Sequence, residues 1–401
     1  MIDAKHSVWR SPKLWALAFG QLIAWTGLFY LFPALLIQWE IELGWDREIL
    51  SLAFSASLIS SALSTFFTGR IIDLGYSRTL MTVSVVIGGC CVSCLPFIST
   101  LWQFFTLWIL IGIATAGCLY EPCFAYLTLT YGEYSQKCIV MVALIAGLAS
   151  TLCFPLTTFI YSTIHWEAAA WIIGMATVLI GGPLFWLGTS NTNYMSEKSE
   201  NKSISNGLLS VMAPLFTQPL FWLLSITFGA IALNHGIVIS HILPILKDRG
   251  VQAEYAMIAA SAIGISQIIG RLLLSGFYQK TTTSFLAILS LVALCLASMG
   301  LFLSGISVFF LALFVLFQGG SIGIQSIAKP VITAQIMGRE NFGVINAAVS
   351  FLYVWGFALA PGLGGMIWSA SGYDTLISIT FSLALIATFA LILALRKRQT
   401  N

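Results

Sequence analysis

A glutamate and a lysine each stand directly before a proline in otherwise apolar stretches, as Glu121-Pro122 and Lys329-Pro330. An ammonium in such a setting attracts an anion, and a carboxylate can take up and release a proton. Histidine has the same ability, with an ordinary pKa of about 6.5 that suits proton exchange. His235 follows Asn234, and His241 lies seven residues beyond that asparagine, on one helical face with it. Gln318, Gln325 and Lys329 are spaced by seven and four, which makes a single polar stripe. Gln21, Trp25 and Phe32 make a mixed polar and aromatic stripe near the N-terminus, and Tyr120 sits beside Glu121. On a continuous helix Glu121 would share a face with Gly117, with Phe124 or Ala125, and with Thr128. Single amides are also the usual hydrogen-bonding glue between membrane helices. A lysine near a span end can snorkel, and a buried histidine can be satisfied by one partner. The residues alone leave those alternatives open.

Other chemistries lack their residues. There is no G-x-x-x-x-G-K-[ST] loop, no Ser/His/Asp spacing and no dense acidic or His/Cys cluster. Neither a catalytic unit nor a metal or other cofactor is therefore expected. The eight cysteines lie in or beside apolar runs, and Cys91 and Cys94, though spaced C-x-x-C, read as small packing residues.

The elements that must hold these groups follow from composition. The chain has 401 residues, of which 58% are hydrophobic and only 8% charged. Soluble domains carry about 25% charged residues, so a soluble enzyme, a secreted disulfide scaffold and a nucleic-acid binder are excluded. Twelve apolar runs can be marked, from 14–38 to 375–395, each long enough for a membrane helix of about 20 residues. The longest polar break, 189–213, is rich in Ser, Asn, Lys and Glu and reads as a flexible linker. It divides the chain into halves at 1–188 and 214–401, with six spans each. The aromatic residues, 13% of the chain, are expected mostly on lipid-facing and interfacial positions, with Trp25 and Tyr120 as exceptions.

Charge sets the orientation. With the N-terminus in the cytoplasm, fifteen basic residues fall on inner segments, among them Arg70, Arg78, Arg271 and Lys329, and only Arg47, Lys247 and Arg249 fall outside. Both termini and the linker are then cytoplasmic. The halves also repeat. Gly69-Arg70 matches Gly270-Arg271, Pro33 matches Pro244, Glu121-Pro122 matches Lys329-Pro330, and Pro155 matches Pro361, in the same order. A duplicated six-span unit points to a transporter built from two parallel repeats.

With these features the chain resembles the major facilitator superfamily. The stretch Gly69-Arg70-Ile71-Ile72-Asp73-Leu74-Gly75-Tyr76-Ser77-Arg78 is similar to that superfamily's signature loop, although Leu74 stands where a basic residue is usual and the second glycine comes one position early. The arginine common in span four of the family is absent, with Trp108 near its place. Leu43-Gly44-Trp45-Asp46-Arg47, Leu50 to Ser55, Leu119 to Ala125, and Gly147 to Thr151 with Pro155 resemble bacterial relatives of the monocarboxylate-porter branch. The resemblance implies an all-α fold of twelve transmembrane helices in two pseudo-symmetric bundles. It also implies that spans one, four, seven and ten line a central cavity. The stripes at Gln21, Trp25, Tyr120, Glu121, Asn234, His235, His241, Gln318, Gln325 and Lys329 would then converge, with Glu121 and Lys329 facing each other near the inner gate. Asp73 and Arg78, with Gly69 and Arg271, are expected in the acid-base latch that the family uses on the cytoplasmic side. Gly69, Gly147, Gly364 and Gly365 are expected to allow close helix approach.

The function expected is secondary transport of a small organic solute by alternating access, as proton-coupled uptake of an organic anion such as a monocarboxylate. Efflux of drugs or metabolites, uptake of a larger ligand such as a siderophore, and a non-transporting membrane sensor are the alternatives. The expected partners are the solute, protons and the lipid bilayer, with no nucleic acid. The expected state is a monomer in a bacterial plasma membrane.

Overall fold

The computed structural model describes residues 10–189, 208–277 and 281–400. The described residues are almost entirely helical. Most of the polar break 189–213 lies outside them, but its end does not. Residues 208–213 belong to a helix, Leu208–Phe216, rather than to a linker, because the run LLSVMAPLF is apolar enough to pack.

Spans one to six are Pro12–Leu43, Ile49–Asp73, Ser77–Phe97, Leu101–Tyr131, Ser135–Thr163 and Trp166–Gly188. Spans seven to ten are Pro219–Asp248, Glu254–Leu274, Thr283–Phe302 and Val308–Met337. The next helical stretch, Phe342–Arg398, runs for 57 residues. At about 1.5 Å per residue an unbroken helix of that length would be roughly 85 Å long, against about 30 Å of hydrocarbon. It is broken at Gly372, whose φ of 77° and ψ of 179° are non-helical. Only a residue without a side chain adopts that backbone cheaply. Residues 342–371 and 373–400 are therefore spans eleven and twelve, which gives twelve crossings among the described residues.

The chain divides into two compact units. One takes the described residues of Met1–Val211 together with Asn341–Ala347, and the other those of Met212–Glu340 and Ala348–Asn401. The short segment 341–347, the beginning of span eleven, thus belongs with the first unit.

Within the first unit, spans two and four pack tightly. A side chain at Gly112 would run into the Ser57 carbonyl and the Ser60 hydroxyl. Aromatic rings fill the space beside them. Trp39 and Trp108 are fully buried, and Phe32 lies 4.8 Å from Trp108 and 4.6 Å from Phe54. The expectation of mainly lipid-facing aromatics fails here: spans one and four use Phe32, Trp39, Phe104 and Trp108 as core. Large rings bury much area per residue and favour the edge-to-face angles seen among these four.

In the second unit, spans eight and ten repeat the arrangement of spans two and four. Gly323 faces the backbone of Gln267, and Gly270 faces that of Gly320. Small residues at the contact bring helix backbones together where no hydrophobic effect operates between helices in lipid. Of the other glycines read as contact points, Gly364 lies against the His241 ring, whereas Gly365 faces open space.

Replacing Gly323 by Ala should destabilise the protein by about 1–3 kcal/mol, the usual range for overpacking against a fixed neighbour. Gly264, on the same span eight interface partner, has nothing within 4 Å of an added Cβ. Gly264→Ala should be neutral or stabilising by up to about 1 kcal/mol through helix propensity. Thermal unfolding of both variants in one detergent checks the contrast.

Candidate functional site

Span four is not one continuous helix. Residues Leu101–Cys118 and Tyr120–Tyr131 are separate helices, joined through Leu119 at φ −76° and ψ −155°. The cause lies four residues beyond Cys118. Pro122 has no N–H to give to the Cys118 carbonyl, and its ring crowds that turn. Pro122 falls instead in the first turn of the following helix, where a missing N–H costs nothing. The stranded Cys118 carbonyl accepts a hydrogen bond from Gln21 Nε2 at 2.6 Å, with Leu119 O at 3.4 Å. Gln21 is completely buried and spends its amide nitrogen on the break, which leaves its Oε1 without a partner.

The break changes what Glu121 can share. It lies in the first turn of the second half-helix, so the continuous face through Gly117 read from the spacing does not exist. Beside it, the Tyr120 ring lies 4.6 Å from Trp25 and stacks on Phe124 at 4.8 Å. Span one changes winding next to Trp25, with a π-helical turn over Thr26–Tyr30. Such turns widen a helix locally and recur at functional positions. Gln21, Trp25, Tyr120 and Glu121 are thereby brought to one region of the first unit, between two irregular helices.

Glu121 Oε2 accepts a hydrogen bond from Asn346 Nδ2 at 2.9 Å. Asp73 reaches the same segment. Its Oδ1 accepts from the Gly343 N–H at 2.7 Å and its Oδ2 from the Val344 N–H at 2.9 Å. Gly343 and Val344 open the helix that starts at Phe342, where the first N–H groups have no intrahelical acceptor. A carboxylate there meets both free donors and the positive end of the helix dipole. The approach requires two glycines, since a Cβ on Gly69 would meet the Gly343 carbonyl and one on Gly343 would meet the Gly69 carbonyl.

Asp73 is therefore held by main-chain amides, and the acid-base pairing expected with Arg78 is not its geometry. Arg78 turns to span six instead. Its Nε donates to the Trp186 carbonyl at 3.1 Å, and its guanidinium lies 3.6 Å from the centre of the Trp186 ring. Arg271 is buried on span eight. The segment 341–347 was missed in reading the sequence. Asn346, a lone amide in an apolar run four residues after the Asn341-Phe342 helix start, was the available signal.

In the second unit Gln318, Gln325 and Lys329 share span ten but serve three neighbours. Gln318 Nε2 donates to Asn234 Oδ1 at 3.1 Å and lies 3.4 Å from His235 Nδ1. Gln325 Nε2 donates to the Ala287 carbonyl at 2.9 Å and to Ser290 Oγ at 2.7 Å, on span nine. Lys329 Nζ donates to Ser350 Oγ at 2.9 Å, on span eleven, and lies 4.3 Å from the centre of the Tyr353 ring. Gln325, Ser326, Lys329 and Tyr353 line a small pocket with Phe228, Ile231 and Ile322. The histidines separate. His235 joins Asn234 and Gln318, while His241 Nε2 lies 3.1 Å from the Pro361 carbonyl. The shared face of Asn234 and His241 does not become a shared site.

Such polar groups, placed in apolar helices, can hold a solute and move protons but make no nucleophile-base pair. The family model described as Major Facilitator Superfamily matches residues 17–327. An uncharacterized MFS-type transporter, YcxA of Bacillus subtilis (strain 168), is 24% identical over 350 residues, which covers 83% of each chain. Among solved structures, the E. coli fucose:proton symporter FucP superposes with a TM-score of 0.74 at 12% identity, covering 94% of this chain and 98% of that one. A bacterial homologue of the iron transporter ferroportin, in an outward-facing state, gives 0.73 at 13% identity over 98% of this chain and all of that one. At such identities the structural likeness shows the fold. Together with the family match over most of its length, it means that the chain belongs to the Major Facilitator Superfamily, as an integral, multi-pass membrane transporter.

Proposed function

We propose that the protein takes up a small organic anion, a monocarboxylate in the simplest case, together with protons. Its two six-helix halves, 1–188 and 214–401 with 189–213 between them, alternate access between the two faces of the membrane. It acts as a monomer in the plasma membrane with both termini in the cytoplasm. Lys329 draws the anion, His235 carries the proton, and Asp73 latches the cytoplasmic side.

The observation that carries the reading is the setting of Lys329. Its side chain is 93% buried in an apolar span, beside a pocket lined by Gln325, Ser326 and Tyr353. A charge at such a position is expensive and is kept where it acts on a solute or a pathway. The Ser350 hydroxyl and the Tyr353 ring hold the ammonium in place, and a carboxylate in the pocket would accept a charge-assisted hydrogen bond from it. A sugar or another neutral solute would give no such return.

Uptake into vesicles with an imposed inward proton gradient, across a panel of organic acids and amphipathic drugs, tests the proposal. Acids should accumulate and neutral drugs should not. Lys329→Gln should raise the half-saturating acid concentration about 10- to 150-fold, as expected when a hydrogen bond to a charged group worth ~1.5–3 kcal/mol is lost. Lys329→Arg should retain part of the uptake. Unchanged acid uptake in Lys329→Gln would remove the anion role.

Asp73→Ala should insert normally and lose most transport, with Asp73→Asn between it and the unaltered protein. The amide keeps one acceptor oxygen for Gly343 or Val344 but gives up the charge that the helix end favours. Full transport in Asp73→Ala would reject the latch.

A further inference from the structure

The hydrogen bonds around His235 determine which of its ring nitrogens carries the proton. The Thr380 main-chain carbonyl on span twelve can only accept, and the Asn234 carboxamide lies against it at 2.8 Å. Asn234 must therefore present Nδ2 to Thr380 and Oδ1 to its other neighbour, Gln318. An oxygen at that point demands a donor, so Gln318 must present Nε2, 3.1 Å away. The same Nε2 has a second hydrogen, and His235 Nδ1 lies 3.4 Å from it. Nδ1 must then be an acceptor, and the neutral ring keeps its hydrogen on Nε2. Each assignment follows from the one before, and one backbone oxygen fixes all three side chains.

The arrangement leaves Gln318 Oε1 buried without a partner. An unmet buried acceptor costs about 1–3 kcal/mol. It persists because turning the amide over would set its oxygen against Asn234 Oδ1.

We propose that Asn234 and Gln318 are positioning residues that hold His235 as the Nε2–H tautomer, so that an incoming proton must land on Nδ1 and break the Asn234–Gln318 link between span seven and span ten. With Nε2 already bearing hydrogen, Nδ1 is the one basic site on the ring. Once it is protonated, N–H faces N–H, and Gln318 has to withdraw or rotate. Rotation offers Oε1 to the new N–H but leaves Asn234 Oδ1 opposed by an oxygen. Either way, the Asn234–Gln318 hydrogen bond is lost on protonation and regained on release. Span ten also carries Lys329, eleven residues further along. Proton binding at His235 is thereby connected to the helix that presents the ammonium.

No other ionisable group intervenes among the described residues. Along the elements packed around the ring these groups are Glu254, Tyr255 and Arg271 on span eight, Lys329 on span ten, Tyr353 on span eleven, and Tyr373, Asp374, Arg396, Lys397 and Arg398 on span twelve. His241, Lys247 and Asp248 are on the same helix as His235. The imidazole hydrogen-bonds to none of them, its side-chain partner being Gln318.

This inference rests on His235 as the proton carrier, yet its test does not need transport. Full-length protein in lipid nanodiscs, labelled at the histidine ring nitrogens and the glutamine side-chain amides, can be followed by NMR. His235 and Gln318 signals are identified by their loss in His235→Gln and Gln318→Leu. At about pH 8, where an ordinary imidazole is neutral, the ring should be bare at Nδ1. Acidification that protonates His235 should move the Gln318 amide signals in the same titration. In Gln318→Glu the facing atom is an oxygen, and Nδ1 should carry a proton. A proton on Nδ1 in the unaltered protein, or a Gln318 amide that ignores the titration, overturns the proposal. Should the signals behave as expected while no proton gradient drives uptake, the tautomer assignment stands and the coupled-transport reading fails.

Discussion

A peptide group that cannot reach water must find its hydrogen bond inside the protein. A helix satisfies this requirement everywhere except at its ends and its breaks. Two such places in this chain are answered by a side chain from another helix. Gln21 supplies the donor that Pro122 withholds from Cys118, and Asp73 supplies the acceptors that Gly343 and Val344 lack. Asn234 follows a related rule by anchoring its amide on the Thr380 carbonyl. Gln21, Asp73, Asn234 and Gln325 are thus tied to backbone, whereas Glu121, Gln318 and Lys329 hydrogen-bond to side chains.

The architecture was readable because it depends on quantities that the sequence carries openly. Run length, sparse charge and the paired motifs of the two halves predict twelve spans in two repeats, and the described helices agree. The site was readable in part. Glu121, Lys329, Asn234, His235 and Gln318 were singled out as polar groups in apolar runs, and each is engaged with a neighbour. Their grouping was not readable, since spacing along a helix tells which residues share a face but not which helix that face meets. Gln318 and Gln325 share a stripe and go to spans seven and nine. The break at Leu119 was hidden for a different reason. A proline in a membrane helix can kink it, break it or be absorbed, and the outcome depends on neighbours that rescue the stranded carbonyl. Segment 341–347 escaped attention because its contribution to Asp73 is made by main-chain N–H groups, which have no side-chain signature.

The repeats diverge at the place where their motifs agree best. Pro122 separates two half-helices, whereas Pro330 lies inside a helix that runs from Val308 to Met337 without interruption. The acid before Pro122 takes a hydrogen bond from Asn346, and the base before Pro330 gives one to Ser350. Duplication supplied matching positions, and substitution then gave one an acceptor and the other a donor. The partners, Asn346 and Ser350, are one helical turn apart on span eleven.

The meeting of Gly69 with Gly343 has an entropic side. Most contacts that form and separate must freeze rotamers each time they close, at a cost of up to about 2 kcal/mol for a long side chain. Here peptide lies against peptide, with no side chain to order on either surface. The contact therefore forms without that toll, and the Asp73 carboxylate adds two hydrogen bonds beside it.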